Sequence, residues 1–145
     1  MLSRIESDLK TALKAGEKRR VATLRLLLSA LKNERIQAQR DLTDEEIEAS
    51  IRRAVKQRRE AIEQYERGGR RDLVDAETEE LAILQAYLPQ ELSEEHVEQA
   101  VRDIMAEKGL SSAKDVGLVM KELMARYRGR IDGKRAQEIA RRLLS

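Results

Sequence analysis

Ile5, Leu9 and Leu13 recur every fourth residue in a stretch that is otherwise mostly polar, and similar three-to-four spacing returns along most of the chain. Such spacing lines up apolar side chains on one face of a helix. It predicts a first helix opened by a Ser3 and Glu6 capping box and closed at Gly16. A longer second helix starts at about Lys18, turns Val21, Leu24, Leu27, Leu28 and Leu31 to one side, and ends near "QRDLTDEE". Thr43 with Glu46 reads as a second capping box, behind which Ile47, Ile51, Val55, Ile62 and Tyr65 keep a third helix apolar on one face until Gly68 and Gly69. Leu73, Leu81, Leu84 and Leu88 mark a fourth.

"YLPQELSEE" then interrupts the pattern with Pro89, the only proline in the chain. Proline disfavours helical geometry in the residue before it, and Ser93 supplies an N-cap just beyond. A boundary is expected there, giving domains at 1–88 and 89–145. The second stretch holds three shorter patterns: Val97, Val101, Ile104 and Met105; Val116, Val119, Met120, Leu123 and Met124; and Ile139, Leu143 and Leu144. No strand-like alternation or repeat period is present. The expected fold is all-α, an N-terminal helical hairpin or bundle domain followed by a small three-helix C-terminal domain.

Composition fits that picture. Hydrophobic residues are 41% of the chain, charged residues 39% and aromatics 2%, with neither Phe nor Trp. The core must therefore be aliphatic, which favours helices. The absence of Cys excludes disulfides, thiolate metal sites and Cys nucleophiles, and makes a cytoplasmic location the default expectation. The first sixteen residues carry acids instead of the unbroken apolar core of a secretory leader, and no apolar run approaches bilayer length, so no membrane span is expected.

Catalytic classes fall away by inventory. His96 is the only histidine, placed three residues after the Ser93 cap, where a solvent-exposed helical role is expected. No Walker-type glycine loop occurs, and the glycine pair in "ERGGRRD" reads as a turn. Acids in "TDEEIE" and "ETEE" sit in first turns or at ion-pairing spacings. No catalytic residue, metal site or cofactor is expected.

Two basic features remain. Arg52, Lys56 and Arg59 lie on one stripe of the third helix, either to follow phosphates or to pair with Glu48, Glu60, Glu63 or the acidic start of the fourth helix. Near the end, "RYRGRIDGKRAQ" places Arg126, Arg128, Arg130, Lys134 and Arg135 around Gly129 and Gly133, with Asp132 as the N-cap of a last helix. Residues 89–110 hold six acids against two cations, and residues 111–145 nine cations against four acids. Charge segregated in this way draws a phosphate backbone locally although the whole chain is only +2. The alternative reading is that these cations complement a helix C-terminus and decorate the next helix. Scarce aromatics disfavour stacking on single strands and favour folded RNA.

The stretches "TLRLLLSALKNERI", "YERGGRRDLVDAETEELAILQAYLPQELSEE" and "DVGLVMKELMARYRGRIDGKRAQEIARRLL" resemble the GatB/YqeY family in its stand-alone YqeY-like form, over essentially the whole chain. The resemblance implies a larger N-terminal and a smaller C-terminal helical domain. It also implies kinship with the tail of the B subunit of the tRNA-dependent amidotransferase, a module found on some glutaminyl-tRNA synthetases as well, where it serves as a tRNA-binding appendage. The amidotransferase's catalytic portion has no counterpart here, so a carbon-nitrogen ligase label using glutamine as amide donor would be inherited and not an activity of this chain. The resemblance draws attention to Gly117 and Met120, as packing residues, and to Gly129, Arg130, Asp132, Gly133 and Lys134 at the turn. The expected partners are tRNA or another structured RNA, and an amidotransferase or aminoacyl-tRNA synthetase. No reading of DNA sequence is expected. A protein-interaction module docking on a translation or amidotransferase component is the alternative.

Overall fold

The computed structural model describes residues 1–145 and contains seven α-helices and no strand. The all-α expectation holds. The helices are α1 (Leu2–Ala15), α2 (Lys18–Ala38), α3 (Asp44–Arg67), α4 (Arg71–Gln85), α5 (Glu94–Lys108), α6 (Val116–Arg126) and α7 (Gly133–Leu144), with a short 3₁₀ turn at Ala113–Asp115. The chain divides into two compact units, Met1–Leu88 and Pro89–Ser145.

In the first unit, Ile5, Leu24, Leu27, Leu31, Ile47, Ile51, Val55, Leu84 and Tyr87 form one buried cluster. All four helices contribute apolar side chains to it, although α2 also turns Leu26 and Ile36 outward to solvent. The α1 to α2 connection is tight. Gly16 adopts φ +70, its N–H bonds to the Leu13 carbonyl at 3.3 Å, and the Glu17 N–H reaches back to Ala12 at 3.1 Å. That pair of bonds answers carbonyls the helix end would leave open, in a left-handed conformation that glycine enters without strain. The Thr43 and Glu46 capping box of α3 forms in both directions.

The expected Ser3 capping box does not form. α1 starts at Leu2 with Met1 as its N-cap and no side-chain bond, so Ser3 already lies inside the first turn. Leu13, expected on the apolar face, is 47% exposed, because only Ile5 and Ala12 of α1 reach the core fully.

In the second unit, α5, α6 and α7 each pack on the other two. Their core is Val97, Ala100, Val101, Ile104, Val119, Leu123, Ile131, Ala136, Ile139, Ala140 and Leu144. Ser93 caps α5 through the His96 N–H, and Asp132 caps α7 through the Lys134 N–H. Ile131, buried between the two caps in sequence, anchors the α6 to α7 turn to that core.

Candidate nucleic-acid interface

The α6 to α7 turn is built by backbone before charge. The Tyr127 N–H closes α6 onto Leu123, and the Arg130 N–H returns to the Tyr127 carbonyl at 2.9 Å. Gly129 takes φ +78 between them, which permits the reversal without the Cβ clash another residue would meet. The segment leading into α5 ties the turn down from outside. The Leu92 N–H donates to the Arg130 carbonyl at 2.8 Å, and Arg130 Nε donates to the Gln90 carbonyl at 3.3 Å. Arg130 is thereby positioned while its side chain stays exposed.

The five expected cations do not behave alike. Arg126 is held by Glu107 at 2.6 Å and by Glu122 at 3.0 Å, and these carboxylates raise its already high pKa. Arg135 bonds Glu94 at 2.6 Å and Glu138 at 2.9 Å, which shifts its pKa upward as well. Both are spent on their own fold. Arg128 is exposed and forms no ion pair, and Arg130 meets only the Gln90 carbonyl. Lys134 is exposed in the first turn of α7. Gly133 begins α7, and a Cβ there would reach only the end of the Met124 side chain at 4.0 Å.

Sequence order exaggerated the segregation of charge. The acids of α5 and the cations that follow them meet in space: Glu107 with Arg126, Glu94 with Arg135, and Glu98 with both Arg102 and Arg142. What remains without a carboxylate is a smaller set comprising Arg128, Arg130, Lys114, Lys121 and Arg141. Only the first two sit in the fixed turn.

The α3 stripe belongs to the first unit. Arg52 lies 3.7 Å from Glu48, Lys56 is exposed without an ion pair, and Arg59 is half-buried. Sequence reasoning passed over their neighbours. Arg58 Nη1 bonds Glu77 at 2.9 Å and also Glu80, clasping α3 to α4 with side chains only 15–23% exposed. Glu34 on α2 receives the buried Ser50 hydroxyl at 2.6 Å and pairs with Arg53. The clue available was that Arg58 stands on the flank nearest the apolar stripe, where a lone charge requires a partner.

Gly117 also departs from expectation. A Cβ built there meets nothing within 4 Å, so no helix packs closely against it. Met120, by contrast, does pack against the core of the second unit. No group of three or more His, Cys, Asp or Glu side chains is arranged to hold a metal ion, and no helix is long and apolar enough to cross a membrane.

Comparison with known proteins places these features in a family. A family model described as Yqey-like protein matches residues 2–144. The chain belongs to the YqeY-like family. Among curated relatives, "Altered inheritance of mitochondria protein 41, mitochondrial" of Lachancea thermotolerans is 33% identical over 109 residues, covering 73% of this YqeY-like chain and 58% of the relative. Its namesake in Vanderwaltozyma polyspora is 32% identical, covering 77% of this chain and 64% of the relative. The namesake in Pyrenophora tritici-repentis is 28% identical, covering 90% and 72%. The chain thus spans less than two thirds of the first two relatives.

These relatives correct the cytoplasmic expectation, since all three are named as mitochondrial proteins. The expectation rested on the absence of cysteine, which says that the fold uses no disulfide and does not separate one reducing compartment from another.

Proposed function

We propose that this YqeY-like chain is a non-catalytic binding module that holds structured RNA, tRNA foremost, through the α6 to α7 turn. The observation that carries the reading is Arg128 and Arg130, two guanidinium groups without carboxylate partners on a turn whose backbone is fixed on both sides. Guanidinium groups match phosphate oxygens in pairs, and a preset backbone lowers the ordering cost of such contacts. Lys134 adds charge at the same turn, with Arg52, Lys56 and Arg59 as assisting contacts. The scarcity of aromatics fits recognition by shape and phosphate. The resemblance of the sequence to amidotransferase tails supports the same reading and makes tRNA the RNA to test first.

The test is a titration of purified protein with total tRNA and with a duplex RNA control at two salt concentrations. Replacing Arg128 and Arg130 by Glu should weaken tRNA binding by about tenfold or more, the loss expected for charge-assisted contacts turned repulsive, with helical content unchanged. Equal affinity of the double variant and the native chain removes the turn as the site.

A second reading, a protein-docking module on an amidotransferase or synthetase, draws on Leu118, 56% exposed, and Met124, 36% exposed, on α6. Replacing Leu118 by Glu separates the two. It should abolish partner association that survives ribonuclease if docking is the role, and leave tRNA affinity unaltered if RNA binding is.

A further inference from the structure

Where α1 and α2 meet the loop before α3, the first unit holds a pocket of about 300 Å³ that no part of the RNA reading uses. It reaches the core, because Leu31 and Ile47 line it and are only 3% and 2% exposed. Leu28 and Leu42, both half-buried, line it as well, and Leu2 is its most exposed aliphatic side chain. Five aliphatic side chains thus border one concavity, whose surface gains from being covered by something apolar. Arg35 and Asp41, 2.9 Å apart, join the end of α2 to the loop that carries Leu42, so this side of the pocket is fastened.

Two further charges border the same pocket, Glu6 from α1 and Lys32 from α2. They are exposed and opposite in sign, yet neither forms an ion pair, with the other or with any neighbour. Cations close by do find carboxylates, Arg35 at Asp41 and Arg40 at Glu46. A concave, mainly aliphatic surface on which a few charged groups converge is the usual form of a small-ligand site, and this volume lies at the lower end of the range of about 300–1,000 Å³ for such sites.

We propose that this pocket binds a small zwitterion with an apolar body, the chemistry of a free aliphatic α-amino acid. Its side chain would lie against Leu28, Leu31, Leu42 and Ile47, its ammonium at Glu6 and its carboxylate at Lys32. The pair of unmatched charges selects the class. A simple carboxylic acid at Lys32 would face the like charge of Glu6, and a simple amine at Glu6 would face Lys32, whereas a zwitterion answers both with charge-assisted hydrogen bonds. The guanidinium of Arg35 stays with Asp41 and keeps the loop in place. The site lies in the first unit and does not depend on the function proposed for the α6 to α7 turn.

The experiment titrates the full chain, with labelled leucine and isoleucine methyl groups, against free leucine at constant ionic strength. The Leu28, Leu42 and Ile47 methyl resonances should shift saturably. 4-Methylpentanoate, which lacks the ammonium, and 3-methylbutylamine, which lacks the carboxylate, should each bind about fivefold more weakly, the worth of one partly solvated charged contact. Glycine, which lacks the apolar body, should bind at least tenfold more weakly. Glu6→Gln and, separately, Lys32→Gln should each reduce leucine affinity about fivefold, while Lys10→Gln leaves it unchanged. Glu6 and Lys32 are exposed, so both variants keep the fold. Absence of saturation, equal affinity for the singly charged analogues, or undiminished affinity in both pocket variants overturns the proposal. Shifts of the same methyl groups that grow with protein concentration alone would identify a second copy of the chain as the occupant, and overturn it too.

Discussion

Tyr87 shows how one side chain can join packing to polarity. It is 5% exposed, belongs to the core of the first unit and yet must satisfy a hydroxyl, which it does by donating to Asp8. Burial first, and then the Asp8 carboxylate, push its phenol up to about 12 against a weaker opposing effect of Arg20. A raised phenol pKa means that the folded state prefers the neutral form. Its stabilising contribution is complete below the unfolded value of about 10 and is lost as pH climbs towards 12. Alkaline titration of tyrosinate absorbance should therefore show one late step, absent in Tyr87→Phe, and that variant should lose about 1–2 kcal/mol because Asp8 is left without its donor. Glu46 works in the opposite direction. Arg40, and then the Thr43 N–H, lower its carboxyl to about 2, so its contribution is present above the unfolded value of about 4.3 and fades as pH falls towards 2. The difference in Tm between the native chain and Glu46→Gln should close over that acid range. A difference independent of pH would mean that the cap acts through hydrogen bonding alone.

Elements are held by devices that differ in how far they reach along the chain, and that reach decides what the sequence discloses. The starts of α3, α5 and α7 are legible because Thr43, Ser93 and Asp132 act on N–H groups two or three residues away. Gly16 and Gly109 end α1 and α5 for an equally local reason, the left-handed conformation each adopts. The same logic fails at Ser3, where the motif is present but the helix has already begun at Leu2. It cannot reach Arg58, whose carboxylates lie 19 and 22 residues away on α4. Nor can it show that Arg126 and Arg135 are occupied, because Glu107 and Glu94 approach only once α5 packs on its neighbours. Arg58 therefore tests the clasp between α3 and α4. Arg58→Ala should cost about 2–3 kcal/mol in denaturant unfolding, since two poorly solvated carboxylates lose their shared donor, whereas Glu77→Gln should cost less because Glu80 still pairs. At Gly117, an exposed helical glycine with open space around it, Ala should raise stability by about 0.5–1 kcal/mol. A fall in stability would reveal a packing role that the open surroundings do not provide.

For the whole molecule, near-neutral charge leaves local unpaired cations to govern encounters with an anionic partner. The second unit carries eleven cations and ten acids, and its mutual pairing absorbs much of both. Distinct outcomes follow for RNA binding as salt is raised. If all five cations of residues 126–135 met phosphates, the slope of log affinity against log salt would be about −4, at 0.7 to 0.9 for each phosphate. If Arg126 and Arg135 stay with their carboxylates and Arg128, Arg130 and Lys134 make the turn's contacts, those contacts should give a slope of about −2 to −3. The pairs at Glu107 and Glu94 are partly solvated, and exchanging them for phosphate would gain little, because exposed ion pairs differ by only about 1 kcal/mol or less. The shallow slope is therefore expected. Arg128→Gln should flatten it by nearly one unit, while Arg126→Gln should leave it unchanged and lower Tm instead. A steep slope that falls equally in both variants would show that RNA pulls the α5 ion pairs apart, making binding and the packing of α5 against α6 and α7 compete for the same guanidinium groups.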